Sequence, residues 1–262
     1  MKNATTINNT AKQALVSNCR VIDNRALNEE IYKITIHSPE IAKNAFPGQF
    51  VSVLCNDLML RRPFSIASCI DDQIEIIYKI KGKGTEYISS LKKNNEINIM
   101  GPLGKKFNIS EEKSLLVGGG VGTAPLVFLS KVLKEKNIPH AFVEGYRTNT
   151  KIGKIHADKI YTITEDGSSE RKGLINDYTE EILSVEKPQI IYACGPLPVL
   201  EYIVKTSQKY NIQSQVALER EFACGVGVCM GCSIKVKENG SVVNKRICKD
   251  GPVFDGESLL WN

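Results

Sequence analysis

Two patterns of apolar and polar residues divide the chain into regions with different predicted folds. Before about residue 112, short segments such as 31–36 and 50–54 alternate apolar with polar residues and are separated by turn residues. A period of two indicates half-buried strands, and several short strands in succession are typical of an antiparallel barrel. After residue 113, apolar strands alternate with helical segments, where Leu126, Leu129 and Leu133 share one face. This alternation predicts a doubly wound parallel sheet.

The pattern therefore predicts a multi-domain protein with an antiparallel β-barrel, a doubly wound α/β domain and a small C-terminal domain. The predicted boundaries are a flexible polar tail (1–14), the barrel (15–112), the α/β domain (113–212) and the C-terminal domain (213–262). Helices are expected near 86–92, 174–183 and 197–209, and Gly101-Pro102 is expected as a turn between strands.

Composition and charge exclude several classes of protein. Of the 262 residues, 42% are hydrophobic and 24% are charged, which is close to the globular average and excludes wholesale disorder. The net charge is +5 and the basic residues are scattered, so nucleic-acid binding has little support. The sequence holds no run of about 18 apolar residues, and its first residues lack the apolar stretch of a secretory signal. We therefore expect a cytoplasmic protein without a membrane span.

Four of the eight cysteines form the most informative motif. Cys224, Cys229 and Cys232 have the spacing C-x4-C-x2-C, and Cys248 follows later in the chain. This is the plant-type arrangement for a [2Fe–2S] cluster, and the glycines between these cysteines suit a loop that wraps closely around it. Structural zinc is the alternative, although zinc ribbons usually have two C-x2-C pairs and this segment has one. The dispersed cysteines expected as small buried apolar residues are Cys19, Cys55 and Cys69.

A glycine-rich turn follows the first apolar strand of the α/β region. It reads Gly118-Gly-Gly-Val-Gly-Thr-Ala-Pro125 and precedes a predicted helix. Such glycines let the backbone approach a pyrophosphate, which the helix N-terminus also attracts; a tight connection without a ligand is the alternative. The form G-x-G-x-x-P lacks the third glycine of the dinucleotide fingerprint. Glu144, at the end of the next strand, could accept a ribose hydroxyl, whereas nearby Arg147 could favour a 2′-phosphate, so NAD and NADP both remain open.

Two motifs in the barrel region are candidates for anion binding. In Arg61-Arg62-Pro-Phe-Ser65, a guanidinium can bind phosphate bidentately, and the aromatic residue beside a hydroxyl suits a ring with a polar edge. The alternative is an edge-strand proline with two solvated arginines. Lys81-Gly-Lys-Gly-Thr85 lies between a strand and a helix, with Thr85 as the expected N-cap, and is either a second anion site or a capped helix without a ligand. Two such sites in one barrel suggest a single nucleotide cofactor.

In combination, these motifs resemble the ferredoxin–NADP reductase superfamily, in which a flavin barrel precedes a pyridine-nucleotide domain. The resemblance is carried by the order of Pro47-Gly-Gln-Phe50, Arg62-Pro-Phe-Ser65, Gly101-Pro-Leu-Gly104, the turn over 118–125 and Cys194-Gly-Pro196. It implies that FAD is bound by Arg62, Pro63, Phe64, Ser65, Ile77, Tyr78, Lys79, Gly84 and Thr85. It implies that NAD is bound by Gly118, Gly119, Gly120, Gly122, Thr123, Pro125, Glu144, Cys194, Gly195 and Pro196.

The C-terminal segment resembles a narrower family, the electron-transfer subunits of type B dihydroorotate dehydrogenases. Leu218-Glu-Arg-Glu-Phe-Ala-Cys224, the cysteine motif and Asp250-Gly-Pro-Val-Phe254 carry this resemblance. It implies an FMN-containing catalytic subunit as partner, which oxidises dihydroorotate in pyrimidine biosynthesis, within a two-plus-two heterotetramer. The residues that it implies as ligands of a [2Fe–2S] cluster are Cys224, Cys229, Cys232 and Cys248.

Electron counting then suggests a relay from the partner to NAD⁺. NAD⁺ accepts two electrons as hydride, a [2Fe–2S] cluster carries one at a time, and a flavin can exchange either number. Electrons would leave dihydroorotate at the partner's FMN, cross the cluster and reach NAD⁺ through FAD. Cys194 and Glu219 are candidates near the hydride step, although a carboxylate such as Glu219 is more often an ordinary strand-end residue. The alternatives are a stand-alone or complex-bound NAD(P)H:ferredoxin-type reductase and a zinc-bearing nucleotide-binding regulator.

Overall fold

The computed structural model describes residues 15–56 and 58–261, so the predicted tail over residues 1–14 lies outside the described residues. Within these ranges the chain forms a closed six-stranded barrel, a seven-stranded sheet flanked by helices, and a C-terminal hairpin. The predicted fold class, a β-barrel followed by a doubly wound sheet and a small C-terminal region, is confirmed. No helix of the described ranges is long and apolar enough to cross a membrane.

Six strands form the barrel: β1 (Leu15–Ala26), β2 (Ile31–His37), β3 (Phe50–Leu54), β4 (Arg62–Ile70), β5 (Gln73–Lys79) and β6 (Glu96–Leu103). They pair in the order β1-β2-β5-β4-β3-β6, with helix α1 (Pro39–Asn44) after β2 and helix α2 (Lys83–Ser90) after β5. The inward residues of each alternating strand fill the interior, as Ile34 and Ile36 do on β2. Cys19 and Cys55 are buried there as expected, whereas Cys69 is partly exposed.

Helix α2 begins earlier than the sequence pattern indicates. The expectation of a helix over 86–92 with Thr85 as its N-cap is wrong, because the helix starts at Lys83 and Gly82 is the N-cap. Thr85 lies at the third helical position, where its hydroxyl donates to the Gly82 carbonyl oxygen at 2.8 Å and accepts the N–H of Lys81 at 2.9 Å. Thr85 therefore stabilises the helix start from inside the first turn.

The Gly101-Pro102 pair lies within strand β6 and does not form the expected turn. Gly101 pairs with Leu15 of β1, and a Cβ atom at Gly101 would lie 2.7 Å from Cγ1 of Val51 on β3. The missing side chain lets β6 pass close to β3, so the strand continues where the sequence indicates a break.

The parallel sheet contains β7 (Ser114–Gly119), β8 (His140–Tyr146), β9 (Lys159–Thr164), β10 (Arg171–Lys172), β11 (Ile190–Cys194) and β12 (Gln213–Ala217). Helices α3 (Thr123–Glu135), α4 (Ile175–Glu186) and α5 (Leu197–Lys209) connect β7 to β8, β10 to β11 and β11 to β12. The strand order is β10-β9-β8-β7-β11-β12. The order therefore reverses between β7 and β11, and ligands of open α/β sheets bind at the carboxyl ends of strands at such a switch point.

The C-terminal segment forms its own hairpin and also joins the parallel sheet. Strands β13 (Ser233–Glu238) and β14 (Ser241–Arg246) pair with each other, and the short helix α6 (Ile247–Asp250) follows. Strand β15 (Val253–Asp255) then pairs antiparallel with β12 as the seventh strand of the sheet. This pairing attaches the cysteine-containing segment to the edge of the parallel sheet.

Helix α3 joins the barrel to the parallel sheet. Phe128 and Val132 of α3 pack in the same apolar cluster as the barrel interior. The Lys131 ammonium donates to the carbonyl oxygen of Cys69 on β4 at 2.9 Å. Because α3 begins at the glycine-rich turn and packs along β4, these contacts fix the position of the turn relative to that strand.

Candidate functional site

The first two cysteines of the motif lie in an irregular loop lined with backbone donors. The N–H groups of Val228 and Cys229 point at the sulfur of Cys224 at distances of 3.3 and 3.4 Å. Gly225 and Gly227 have φ values of +68° and +82°, a region that glycine occupies without strain. These glycines let the loop curl so that its N–H groups surround a sulfur atom.

The other two cysteines are closer to the core. Cys232 and Cys248 are buried, and the N–H of Cys248 donates to the sulfur of Cys232 at 3.4 Å. The N–H of Gly231 lies at the same distance, 3.4 Å, from the sulfur of Cys229, which is the exposed member of the four. Hydrogen bonds to sulfur and solvent exposure both tune the reduction potential of an iron–sulfur cluster. The four cysteines thus reach from the core to the surface.

The pKa values of the cysteines differ with their surroundings. Burial alone would raise the pKa of Cys224, but the N–H groups of its own loop stabilise the thiolate and lower the pKa to about 6. Burial, the hydrogen bond to Cys232 and the charge of that sulfur raise the pKa of Cys248 to about 12. Since the thiolate is the metal ligand, Cys224 is ready to bind at neutral pH, whereas Cys248 must lose its proton as metal binds.

The side chains of the four cysteines lie close enough to influence one another's pKa. The Cys229 side chain helps to lower the pKa of Cys224, whereas the sulfur atoms of Cys232 and Cys224 help to raise the pKa of Cys248. In residues 15–56 and 58–261, no three His, Cys, Asp or Glu side chains are placed together to hold a metal ion. A [2Fe–2S] cluster draws two thiolates to each of its two irons, whereas structural zinc collects four ligands around one ion. The spacing C-x4-C-x2-C of the first three cysteines is the observation that favours the cluster over zinc.

An arginine secures the cysteine loop from outside. Arg246 directs Nη1 to the carbonyl oxygen of Gly227 at 2.8 Å and Nε to Oδ2 of Asp250 at 2.9 Å. The side chain of Lys249 also lies against Gly227, where a Cβ atom would come within 2.5 Å of the lysine Cδ. These contacts hold the loop conformation in which the N–H groups face sulfur.

In the barrel, the two predicted anion sites form one surface. A Cβ atom on Gly84 would lie 2.9 Å from Nε of Arg62, so glycine here lets the guanidinium lie beside the N-terminus of α2. Both groups favour a phosphate anion. Arg61 points elsewhere and donates to the Ser52 carbonyl oxygen at 3.1 Å and to Asn98 Oδ1 at 2.5 Å. Residues 62–65 of β4 pair with β3 and residues 66–70 pair with β5, so Pro63 lies where the strand has a neighbour on one side only. The alternative of an edge-strand proline therefore fits Pro63, whereas Arg61 is bound to protein oxygens and is not one of two solvated arginines.

Strands β4 and β5 carry the rest of the residues predicted to bind FAD. The ring of Phe64 meets that of Tyr78 edge to face, with centroids 5.7 Å apart. Tyr78 is 2% exposed and burial raises the pKa of its hydroxyl, so it lies behind the candidate flavin surface. The Lys79 ammonium pairs with Glu30 at 2.6 Å. The remaining predicted residues on these strands are Pro63, Ser65 and Ile77.

Strand β3 brings the cysteine segment next to the predicted flavin strand. Phe222, just before the cysteine loop, packs edge to face on Phe50 with centroids 5.4 Å apart. Phe50 is paired with Ser65 of β4, and a Cβ atom on Gly225 would lie 3.7 Å from Oγ of Ser52. Neighbouring strands are about 4.8 Å apart, so the cysteine loop lies roughly one strand spacing from β4. Phe222 was not among the site residues predicted from the sequence, although its position two residues before the first cysteine of the motif is a signal that could have indicated it.

The glycine-rich turn meets the 194–196 turn at the switch point between β7 and β11. A Cβ atom on Gly122 would lie 2.7 Å from the carbonyl oxygen of Cys194 and equally close to N and Cα of Gly195. One on Gly119 would lie 2.9 Å from Cδ of Pro196. The missing side chains let the turns touch beside the N-terminus of α3, a favourable position for a pyrophosphate. The other predicted residues at the end of β7, in the turn or in the first turn of α3 are Gly118, Gly120, Thr123 and Pro125.

Glu144 lies in β8 beside the glycine-rich turn, as predicted, and its carboxylate is held by two hydroxyl groups. Tyr146 donates to Oε2 at 2.7 Å and Thr162 donates to Oε1 at 2.9 Å. Glu144 pairs with Gly118 across neighbouring strands, whereas Arg147 is exposed beyond the strand end. An oriented carboxylate here can accept ribose hydroxyl groups and would repel a 2′-phosphate.

Cys194 and Glu219, the candidates near the hydride step, interact electrostatically. Cys194 is buried at the end of β11, and burial together with the Glu219 carboxylate raises the pKa of its thiol. Cys194 therefore stays protonated at neutral pH and does not act as a thiolate nucleophile. Since Glu219 precedes the cysteine loop, this interaction shows that the start of the cysteine segment lies close to the 194–196 turn.

Two family models match the regions that carry these sites. The iron–sulfur cluster binding domain of dihydroorotate dehydrogenase B matches residues 219–260, and an FAD-binding domain matches residues 16–125. The first contains all four cysteines of the motif, and the second contains the barrel and the glycine-rich turn.

Similar proteins cover nearly the whole chain. The electron transfer subunit of dihydroorotate dehydrogenase B (NAD(+)) from Caldanaerobacter subterraneus subsp. tengcongensis is 38% identical over 92% of this chain and 97% of its own length. The subunit of the same name from Clostridium acetobutylicum is 35% identical over 93% of this chain and 96% of its own length.

Solved structures support the same fold. A structure of NADH-dependent reduced ferredoxin-NADP oxidoreductase has a TM-score of 0.83 and 29% identity, covering 94% of this chain and 90% of that chain. A ferredoxin reductase of carbazole 1,9a-dioxygenase shares the fold, with a TM-score of 0.66 and 21% identity over 77% of this chain and 68% of that chain. The chain therefore belongs to the family of electron-transfer subunits of NAD(+)-dependent dihydroorotate dehydrogenase B.

Proposed function

We propose that this chain relays electrons from the FMN of a dihydroorotate dehydrogenase catalytic subunit, through a [2Fe–2S] cluster and FAD, to NAD⁺ in cytoplasmic pyrimidine biosynthesis. The observation that carries the proposal is the contact of the cysteine segment with β3, through Phe222 on Phe50 and Gly225 beside Ser52. This contact supports a short path between the proposed cluster and the proposed flavin site.

A bound flavin supplies the exchange between one-electron and two-electron transfer. The residues of this chain bind and orient the carriers. Arg62 and the N-terminus of α2 would hold the FAD pyrophosphate, with Phe64 and Ser65 beside the isoalloxazine. The touching turns at Gly122 and Gly195 would hold NAD, and the oriented Glu144 carboxylate favours NAD over NADP.

The proposed cluster ligands are Cys224, Cys229, Cys232 and Cys248. Their spacing in the sequence, their N–H donors and the lowered pKa of Cys224 support this set. We also propose the division into a flavin domain (15–112), a nucleotide domain (113–212) and a cluster domain (213–262). Strand β15 of the last domain then completes the sheet of the second.

The surface over the cysteine loop supports docking of a protein partner. Val226, Val228 and Met230 are 41%, 78% and 47% exposed, and we call these three residues the cluster-loop surface. Exposed apolar side chains grouped around an exposed cysteine are typical of an interaction site. We propose that the FMN-containing catalytic subunit docks here, in a two-plus-two heterotetramer, because electron transfer between proteins needs close approach of the carriers.

The relay can be tested with the complex reconstituted from this chain and an FMN-containing catalytic subunit. We expect NADH to form only when dihydroorotate is present, and the absorbance of reduced nicotinamide measures its formation. Alone, this chain should bind FAD and iron, be reduced by NADH and fail to oxidise dihydroorotate. Rapid NADH-dependent reduction of a ferredoxin without effect of the catalytic subunit would favour the stand-alone reductase. A colourless chain with bound zinc would contradict the relay altogether.

The docking surface can be tested separately with Val228→Glu. A carboxylate in an apolar protein contact should weaken association with the catalytic subunit about tenfold or more, since burying an unpaired charge is costly. Analytical ultracentrifugation or titration of the subunits would measure this. Val242→Glu is the matched control, since Val242 is 61% exposed on the hairpin strand β14. Equal association of both variants with the partner would contradict the assignment of the surface.

A further inference from the structure

Asn24 on β1 forms hydrogen bonds with both elements behind the proposed FAD site. Its Nδ2 donates to the carbonyl oxygens of Ile88 at 2.8 Å and Leu91 at 2.9 Å, and lies 3.5 Å from that of Ser89. Its Oδ1 accepts the hydroxyl of Tyr78 at 3.2 Å. One side chain thus connects the C-terminal end of α2 with strand β5.

The C-terminal end of α2 receives an additional hydrogen-bond donor from outside the helix. The last carbonyls of a helix have no partner within the helix and are commonly satisfied by a glycine cap or a basic side chain. The last turn of α2 has no basic residue, and its C-cap is Leu91 in an extended conformation. The Ile88 carbonyl oxygen accepts the Leu91 N–H at 3.1 Å, and the Asn24 amide adds a second donor to it and also bonds the Leu91 carbonyl oxygen. Because α2 is only eight residues long, fixing this end also fixes its N-terminus beside Arg62.

The hydroxyl of Tyr78 links Asn24 to the candidate flavin surface by a second route. Tyr78 is buried, and its ring lies between Tyr32, at a centroid distance of 5.9 Å, and Phe64, at 5.7 Å. The hydrogen bond from its hydroxyl to Asn24 fixes the orientation of this ring, and the ring in turn supports Phe64. Phe64 is the aromatic residue proposed to lie against the isoalloxazine.

We infer that Asn24 is a positioning residue for FAD: it orients α2 toward the pyrophosphate and Tyr78 toward Phe64 without touching the cofactor. The inference rests on the proposed function, because it takes α2, Arg62 and Phe64 as parts of the FAD site. Asn24 is distant in sequence from every motif of that site. It lies on β1, which is not a neighbour of β4 or β5 in the barrel. Only the folded structure brings Asn24 to α2 and Tyr78.

The test compares FAD dissociation constants of full-length variants after removal and re-addition of FAD, measured by flavin fluorescence. Asn24→Leu keeps the branching and the number of side-chain heavy atoms and removes every hydrogen bond of the side chain, so the dissociation constant for FAD should rise roughly 10- to 100-fold. Tyr78→Phe removes one bond and should raise it roughly three- to tenfold. The double variant should bind FAD no more weakly than Asn24→Leu, since the Tyr78 hydroxyl acts through Asn24. The visible circular dichroism of bound flavin should change in Asn24→Leu.

A matched control separates positioning of FAD from general loss of stability. Ser207 of α5 is buried, and its hydroxyl donates to the Val204 carbonyl oxygen at 2.8 Å and lies 2.9 Å from Ser214 Oγ, from which it can accept a hydrogen bond. Ser207→Ala should lower the melting temperature but leave the FAD dissociation constant unchanged. An unchanged constant in Asn24→Leu, or an equal rise in Ser207→Ala, overturns the inference. If Asn24→Leu does not fold, the FAD dissociation constant of Tyr78→Phe decides, and an unchanged constant overturns the inference. Failure of the unaltered chain to bind FAD would instead refute the proposed function.

Discussion

Replacing Cys229 with serine is expected to remove the cluster while leaving FAD bound. A serine hydroxyl does not ionise at neutral pH and is a poor ligand for iron, and the loss of even an outer partner of a metal site costs 10–100-fold in affinity or activity. Dihydroorotate-to-NAD⁺ electron transfer should therefore fall by roughly 100-fold or more. The proposed FAD site lies on β4, β5 and α2, so flavin content and its reduction by NADH should remain.

The measurements are iron and acid-labile sulfide per chain, the absorbance beyond the flavin bands, and the FAD content. Cys69→Ala is the matched control, because Cys69 is a partly buried barrel cysteine whose pKa is raised by burial to about 12. Its thiol therefore stays protonated, and its removal should leave iron and sulfide unchanged. Unchanged iron content in Cys229→Ser would show that the ligand assignment is wrong. Loss of FAD together with iron would instead show that the two sites depend on each other for folding.

The sequence was sufficient to predict a candidate site where all the residues of that site lie in one short segment. The cysteine spacing and the glycines between the cysteines belong to a single loop, so their pattern can be interpreted without knowing the fold. The same is true of the glycine-rich turn, in which a strand, a turn and a helix follow each other directly. For these segments the local pattern predicted the elements that the structure contains.

The sequence was uninformative where a site depends on pairing between distant segments. Phe50 and Phe222 meet through the folding of the C-terminal segment onto β3, and no periodicity connects them. The three residues of β15 are too few to show a pattern, yet they attach that segment to the sheet. The prediction that Thr85 is the N-cap was wrong for a different reason. A threonine hydroxyl can stabilise the start of a helix either as the N-cap or from the third helical position, and the local sequence does not distinguish the two.

The close contact of the two turns at the switch point leads to the second large expected effect. Gly122→Ala should reduce the rate at which NADH reduces the flavin about 100-fold, the cost typical of displacing a reacting group by about 1 Å. The reason is steric. The added Cβ atom would lie 2.7 Å from three backbone atoms of Cys194 and Gly195, and backbone cannot move aside as a flexible side chain can. The turns should separate and displace the nicotinamide site.

Stopped-flow reduction by NADH under anaerobic conditions measures this rate, and dithionite gives an independent route of reduction. In Gly122→Ala, dithionite should still reduce flavin and cluster fully, because both sites lie outside the contact of the two turns. Gly240→Asn is the control: Gly240 has φ +79° in the β13–β14 turn with no atom within 4 Å of an added Cβ, and asparagine tolerates this conformation. It should react with NADH like the unaltered chain. Normal reduction of Gly122→Ala by NADH would mean that the nicotinamide binds elsewhere, and the switch point between β7 and β11 would lose its proposed role.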